Sequence, residues 1–147
     1  MVRGKYGDLP ARDLHLLVVL VRCTQSVERR LFAHIRQADL TPPQFDVLEA
    51  LYHRGPMTVN TIIEKTLSSS GNTGVVVDNL IKRGLVEKSV DETDRRVRRV
   101  ALTDQGFQRM EEYFPRHLAE VQRAFGALEP EEKATLTLLL RKLGKSV

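Results

Sequence analysis

The sequence predicts a mainly α-helical fold carrying one small β-hairpin. Three observations predict it. Apolar residues recur at spacings of three and four along most of the chain, caps and breakers divide that pattern into segments, and the period shifts toward two only between residues 85 and 102. With 147 residues, 41% of them apolar, the chain can build one domain or two small ones around a real core.

The first helix is expected from Leu9 to Ala38, with Leu14, Leu17, Val18, Val21, Val27, Leu31, Phe32 and Ile35 at helical spacing. Its stretch LLVVLV (16–21) is apolar on every side, so part of it is expected to face a partner chain. Pro42 and Pro43 end this helix and start another over roughly 43–53. Thr41-x-x-Gln44 reads as a capping box, although Pro43 at the first helical position fits Pro42 as the cap equally well. Phe45, Val47, Leu48 and Leu51 form its apolar side, and it stops at Arg54-Gly55-Pro56.

A third helix opens at Thr58 with Ile62 and Ile63 inward, and a fourth contains LSSSGNTGVVVDNL (67–80) and ends at Gly84. Three short helices with brief connections make a helix-turn-helix. LVEKSV (85–90) and VRRVAL (97–102), with Asp91–Asp94 as the turn, read as a hairpin with arginines on its return strand, completing a winged helix-turn-helix.

Thr103 and Asp104 suit the start of a long helix with the stripe Phe107, Met110, Phe114, Leu118, Val121 and Phe125; Pro115 should kink or interrupt it near residues 111–115. A last helix begins at Pro130, has Glu131 and Glu132 at its positive end, and carries Leu136, Leu139, Leu140 and Leu143. The expected organisation is a winged helix-turn-helix domain over 41–103, interrupting one helical packing unit made of residues 1–40 and 104–147.

Net charge is only +4, but seven basic residues fall between Lys82 and Arg99, four of them in RRVRR (95–99). Such a stripe suits phosphate better than a metabolite; a solvated surface strand is the other reading. No apolar run is long enough to cross a membrane and the N-terminus lacks the apolar centre of a signal peptide, so a soluble cytoplasmic protein is expected. The single Cys23 excludes an internal disulfide or a CxxC knuckle, and His15, His34, His53 and His117 lack HxxxH spacing, so neither metal nor cofactor is expected. SSSG is not GxSxG after a strand and no phosphate-cradling loop occurs, which argues against an enzyme.

LTPPQFDVLEAL (40–51), NLIKRGLVEKSVDETDRRVRRVALTDQG (79–106) and the two helices after them resemble the MarR family of bacterial transcription regulators over nearly the whole chain. KRGLV, TDRR and LTDQG at this spacing are the most specific part. The resemblance implies a homodimer built from the N- and C-terminal helices, with two winged helices on a palindromic operator in double-stranded DNA. It further implies a repressor whose DNA binding is weakened by a small ligand, often phenolic, or by an oxidant. The competing readings are a non-specific architectural DNA-binding protein and a winged helix used as a protein-interaction module.

A recognition helix must offer small hydrogen-bonding groups in its first turns, and Ser69, Ser70, Asn72 and Thr73 are such groups. At 100° per residue, Thr73, Val77, Leu80, Ile81 and Gly84 share a packing side, while Asn72, Val75, Val76, Asn79 and Arg83 share a reading side. Asn72 could pair with adenine and Val75, where many relatives carry a polar residue, could meet a thymine methyl. The bland alternative is that the serines cap and Val75 packs. In the DRR motif, Asp94-Arg95-Arg96, the resemblance sends an arginine into the minor groove, Arg96 first and Arg95 second, with Asp94 holding the turn or an arginine. Arg98 and Arg99 alternate across the strand, so at most one faces DNA and the other is solvated or ion-paired; Arg98 is counted with the DNA contacts.

Ligands of the family lie between the dimerisation helices and the winged helix, where His15, Arg22, Phe45 and His117 could line a pocket. Cys23 could sense oxidants, but the sensing cysteine of the organic-peroxide regulators would fall near Leu17, so a buried structural thiol is the favoured reading.

Overall fold

The structure, a computed structural model, describes residues 8–66 and 72–146. Among these, six helices and one hairpin follow in the order α1 (Asp8–Gln37), α2 (Pro42–Arg54), α3 (Val59–Lys65), α4 (Thr73–Lys82), β1 (Val86–Val90), β2 (Arg98–Leu102), α5 (Asp104–Ala124) and α6 (Pro130–Ser146). No helix among the described residues is long and apolar enough to cross a membrane. The chain divides into two compact units, one spanning His34–Ala119 and the other joining the chain up to Ala33 with the chain from Glu120. The central unit therefore takes in the end of α1 and most of α5 as well as the winged helix.

In the central unit α2 begins at a true capping box: Gln44 N donates to Thr41 Oγ1 at 3.4 Å and Thr41 N donates to Gln44 Oε1 at 3.0 Å. Thr41 is thus the cap, and Pro42 takes the first helical position, where its missing N–H costs nothing. Thr58 caps α3 by accepting from Thr61 N at 3.2 Å. α2 packs on α4 and β2, and α3 on α4. Phe45, Leu48, Ile62, Val77, Leu80, Leu85, Val100 and Met110 are each at most 1% exposed. Burying such a side chain contributes about 1.5–3 kcal/mol, so this cluster holds the recognition helix against the scaffold.

α4 closes in a Schellman motif at KRGLV: Leu85 N donates to Leu80 O at 3.0 Å and Gly84 N to Ile81 O at 2.9 Å, with Gly84 at φ +71°. β1 and β2 pair antiparallel from Val86↔Leu102 to Val90↔Arg98. The strands are joined over residues 91–97, a connection longer than the expected Asp91–Asp94 turn, with Asp91 N donating to Val97 O at its neck. A bridge from Met57 to Val100, made of two backbone hydrogen bonds of 3.0 and 2.8 Å, fastens the hairpin to the α2–α3 connection.

α5 runs unbroken through Pro115, which neither ends nor divides it. Its buried line is Gly106, Met110, Tyr113 and His117, while Phe107 and Leu118 of the expected apolar stripe are 45% and 46% exposed. Tyr113 and His117 bury because they meet other rings: Tyr113 stacks on His34 with centroids 4.7 Å apart, and Phe45 lies 4.4 Å from His117. Edge and offset contacts of this kind add about 0.5–1.5 kcal/mol beyond area.

In the other unit, Glu120 accepts from Arg30 Nε at 3.2 Å and Arg123 Nη1 at 2.5 Å. Leu14, Leu16, Leu17, Val18, Val19 and Val21 of α1 are exposed, as are five leucines of α6, a helix that buries no residue. Cys23 is exposed too, which corrects the expectation of a buried thiol: this stretch of α1 has little of its own chain over it.

Candidate nucleic-acid interface

α4 presents its start and one face outward. Asn72 occupies the N-cap position but makes no side-chain cap hydrogen bond, so its amide is not consumed by the helix and stands exposed. One turn on, Val75 is 56% exposed and Asn79 is exposed, while Val77 and Leu80 are fully buried. Val76 is intermediate, at the boundary of the two faces. Thr73, a DNA contact by residue type but a packing residue by helical angle, is 5% exposed and lies on the inner stripe with Val77 and Leu80. The helical angle outweighs the hydroxyl. Ser69 and Ser70 lie outside the described residues.

Arg83 also departs from the reading face. Its guanidinium turns back to the α1–α2 elbow, donating from Nη2 to Asp39 Oδ2 at 3.0 Å and from Nη1 to Gln44 Oε1 at 3.2 Å. Asp39, at φ +56°, is the residue that turns the chain there. Position on a helical wheel places the Arg83 Cα correctly, but a side chain this long reaches whichever acceptor is near. Asp78 on α4 pairs with Lys88 Nζ on β1 at 3.0 Å, a link across two elements that no local pattern signals.

The wing presents Arg95, Arg96 and Arg98 as exposed side chains. Asp94 holds Arg96: its Oδ1 accepts from Arg96 N at 3.0 Å and from Arg96 Nε at 3.3 Å. The Arg96 side chain is 92% exposed, so this pair orients a guanidinium that remains open to solvent. Arg99 is the ion-paired member of the alternating couple, bonded through Nε to Asp91 Oδ2. Asp91 is the residue that sequence reasoning missed. Its carboxyl is held well below the usual carboxylate range by the Thr93 hydroxyl, then the Arg99 guanidinium, then the Thr93 and Asp94 amides. An aspartate two residues before a threonine at a turn is an Asx-turn signal that could have found it.

Of the candidate effector residues, the central unit brings Phe45 and His117 together, and His117 Nδ1 is buried without a hydrogen-bond partner among the described residues. Burial, and then the nearby His34, lower the His117 pKa. His15, Arg22 and Cys23 are exposed on α1 in the other unit. On α2, burial and then Glu49 push the Asp46 carboxyl up to about 6. No group of three or more His, Cys, Asp or Glu among the described residues is arranged to hold a metal ion.

A polar-tipped helix beside an arginine-bearing hairpin has a counterpart in known proteins. The MarR family model matches residues 38–97. The HTH-type transcriptional regulator MhqR of Bacillus subtilis is 35% identical over 133 residues, covering 90% of this chain and 92% of that protein. Bordetella bronchiseptica BpsR, whose DNA binding is regulated by 6-hydroxynicotinic acid, is 29% identical, with a TM-score of 0.77 and coverage of 96% of this chain and 98% of that one. A mutant MarR from E. coli complexed with operator DNA is 25% identical, with a TM-score of 0.79 and coverage of 93% and 99%. These relatives are regulators rather than enzymes. Fold, wing and relatives agree, and the chain belongs to the MarR family of DNA-binding transcription regulators.

Proposed function

We propose that the protein is a cytoplasmic, homodimeric repressor that reads a palindromic operator and is released by a small phenolic or similar ligand, or by an oxidant. The observation that carries the DNA part is the outward face of Asn72, Val75 and Asn79 standing on a buried Val77–Leu80 stripe, with Arg95, Arg96 and Arg98 exposed on the wing. α4 enters the major groove, Asn72 takes an adenine edge and Val75 a thymine methyl. Arg96, oriented by Asp94, enters the neighbouring minor groove, with Arg95 second and Arg98 on the phosphates. The uncovered leucines and valines of α1 and α6 support a second copy as the partner, since apolar area of that extent favours burial. Ligand release is supported by the BpsR likeness and by the buried Phe45–His117 contact, which offers a ring face and an unsatisfied imidazole nitrogen.

Selection of bound duplexes from a random pool tests this, repeated with phenols and with peroxide present. The expected product is two half-sites centred about one helical turn apart, lost from the bound pool when the effector is added. Asn72→Ala should relax preference at one base pair per half-site by about 1–3 kcal/mol and leave the others unchanged. A specificity ratio near one for wild type would replace the operator reading with the architectural one.

A further inference from the structure

Asp91 is the least exposed charged residue of the wing, at 8%, and reading DNA gives it no task. Its two oxygens divide the work. Oδ1 accepts from Thr93 N at 2.8 Å, Thr93 Oγ1 at 2.5 Å and Asp94 N at 3.1 Å, gathering the start of the hairpin connection onto one atom. Oδ2 accepts from Arg99 Nε on β2. The backbone closes the same neck, with Asp91 N donating to Val97 O at 3.0 Å and Val97 N to Asp94 O at 2.9 Å. Arg99 reaches on with Nη1 to the Pro56 carbonyl at 3.4 Å, next to the Met57–Val100 bridge. One carboxylate therefore joins the connection that carries Arg95 and Arg96 to β2, and Arg99 joins β2 to the α2–α3 connection.

A two-stranded hairpin is marginal alone, and a long connection between its strands samples many conformations. An arginine that must enter a narrow groove binds more weakly if it has first to be ordered. We propose that Asp91, acting through Thr93, Asp94 and Arg99, is a positioning residue for DNA binding that presets the path of the connection and with it the direction of Arg96. Arg99 is then a strut between wing and scaffold and makes no phosphate contact. The inference rests on the reading of Arg96 as the groove contact.

The test uses the full chain and a duplex recovered by the selection above. Asp91→Asn keeps the shape and removes the charge facing Arg99, and Arg99→Met removes the strut from its other end. Both should weaken operator binding on the order of tenfold with an unchanged dependence on salt, because no phosphate contact is lost. Hydroxyl-radical protection of the minor groove beneath the wing should fade while protection around α4 persists. Added to Arg96→Ala, Asp91→Asn should weaken binding by less than about twofold more, since it acts through that arginine.

Asp91→Asn and Arg99→Met binding as wild type, with Arg96→Ala weakened, would overturn the positioning role alone. Full multiplication of the Asp91→Asn and Arg96→Ala effects would overturn it as well, as would a salt slope reduced by about one in Arg99→Met. If Arg96→Ala itself binds as wild type, the groove reading fails and the positioning role falls with it. Should Asp91→Asn lower the melting temperature, Arg99→Met, altered at a residue already half in solvent, carries the same comparisons.

Discussion

Gly106, in the first turn of α5, stands where a side chain has no room. A Cβ on it would lie 2.0 Å from the Leu85 carbonyl oxygen and 2.9 Å from its carbon, so that carbonyl would have to retreat by about 1 Å, because even tightly packed methyl groups in protein interiors keep near van der Waals distance. It is poorly placed to move: Leu85 O accepts from Thr103 N at 3.1 Å, and Leu85 N is bound to Leu80 O in the Schellman motif. Exchange of glycine for alanine within a helix ordinarily gains about 1 kcal/mol. Here overpacking against backbone should cost about 3 kcal/mol, the upper end of its range, and the disturbed Thr103–Leu85 hydrogen bond about 1 kcal/mol more. Gly106→Ala is therefore expected to destabilise by about 3 kcal/mol net, a fall in Tm of roughly 6–12 °C for a chain of this size. Gly74→Ala is the control, with nothing within 4 Å of the added carbon, and should gain about 0.5 kcal/mol. Thermal and urea unfolding at one fixed protein concentration measure both, since assembly would shift the midpoint. A Gly106→Ala protein as stable as wild type, or the two alanines shifting stability in the same direction, would refute the close-approach argument.

Two further substitutions separate scaffold from contact. Arg83→Ala should lower stability by about 0.5–1 kcal/mol, since its pair with the 90%-exposed Asp39 is a surface one, yet leave the salt slope of DNA binding unchanged. Arg95→Ala or Arg98→Ala should reduce that slope by about one, and titrations at several salt concentrations read the difference. Asp46→Asn tests burial on α2. Because the folded carboxyl titrates near 6 and the unfolded one near 3.8, the folded state holds the proton more tightly, and wild type loses stability as pH rises from about 4 to 6. The difference between 3.8 and about 6 corresponds to about 3 kcal/mol; halved for partial solvent screening, Asp46→Asn should gain about 1.5 kcal/mol at pH 7 and nothing at pH 4. Urea midpoints at the two pH values check it, and a gain that persists at pH 4 would contradict the desolvation account.

The helices were legible because each carries its own period and its own punctuation: Thr41 with Gln44, Thr58, Gly84 and Thr103 are local signals and act locally. The hairpin was legible from its change of period, but its neck was not. The turn ends where the Asp91 carboxylate and the Val97–Asp94 hydrogen bond end it, and side-chain acceptors do not alter hydropathy. The bridge from Met57 to Val100 was invisible for the opposite reason, being a single residue pair far apart in sequence. On the candidate interface the angle of each Cα was readable and the reach of each side chain was not. Thr73 turned inward with its helical stripe, and Arg83 found Asp39 across a turn. On α5 the expected stripe left out Tyr113 and His117, which bury through ring contacts that an apolar count does not register.

Two of the three segments by which the chain is most recognisable have a common structural address. KRGLV closes α4 through Gly84 and Leu85, and LTDQG opens α5 through Thr103, whose hydroxyl donates to Gly84 O at 2.6 Å and accepts from Gly106 N at 3.1 Å. Both segments meet at Leu85, whose carbonyl leaves space only for glycine at 106. This joint sets where the recognition helix ends, where β1 begins and where α5 departs, so a change in any of its residues disturbs all three. Asn72, Val75 and Asn79 lie on the opposite side of α4 from the buried Val77 and Leu80, and substitutions there leave the joint intact. A family resemblance carried by KRGLV and LTDQG therefore speaks to how the reading helix is held. In the proposed reading, the bases it meets depend on the outward residues Asn72, Val75 and Asn79.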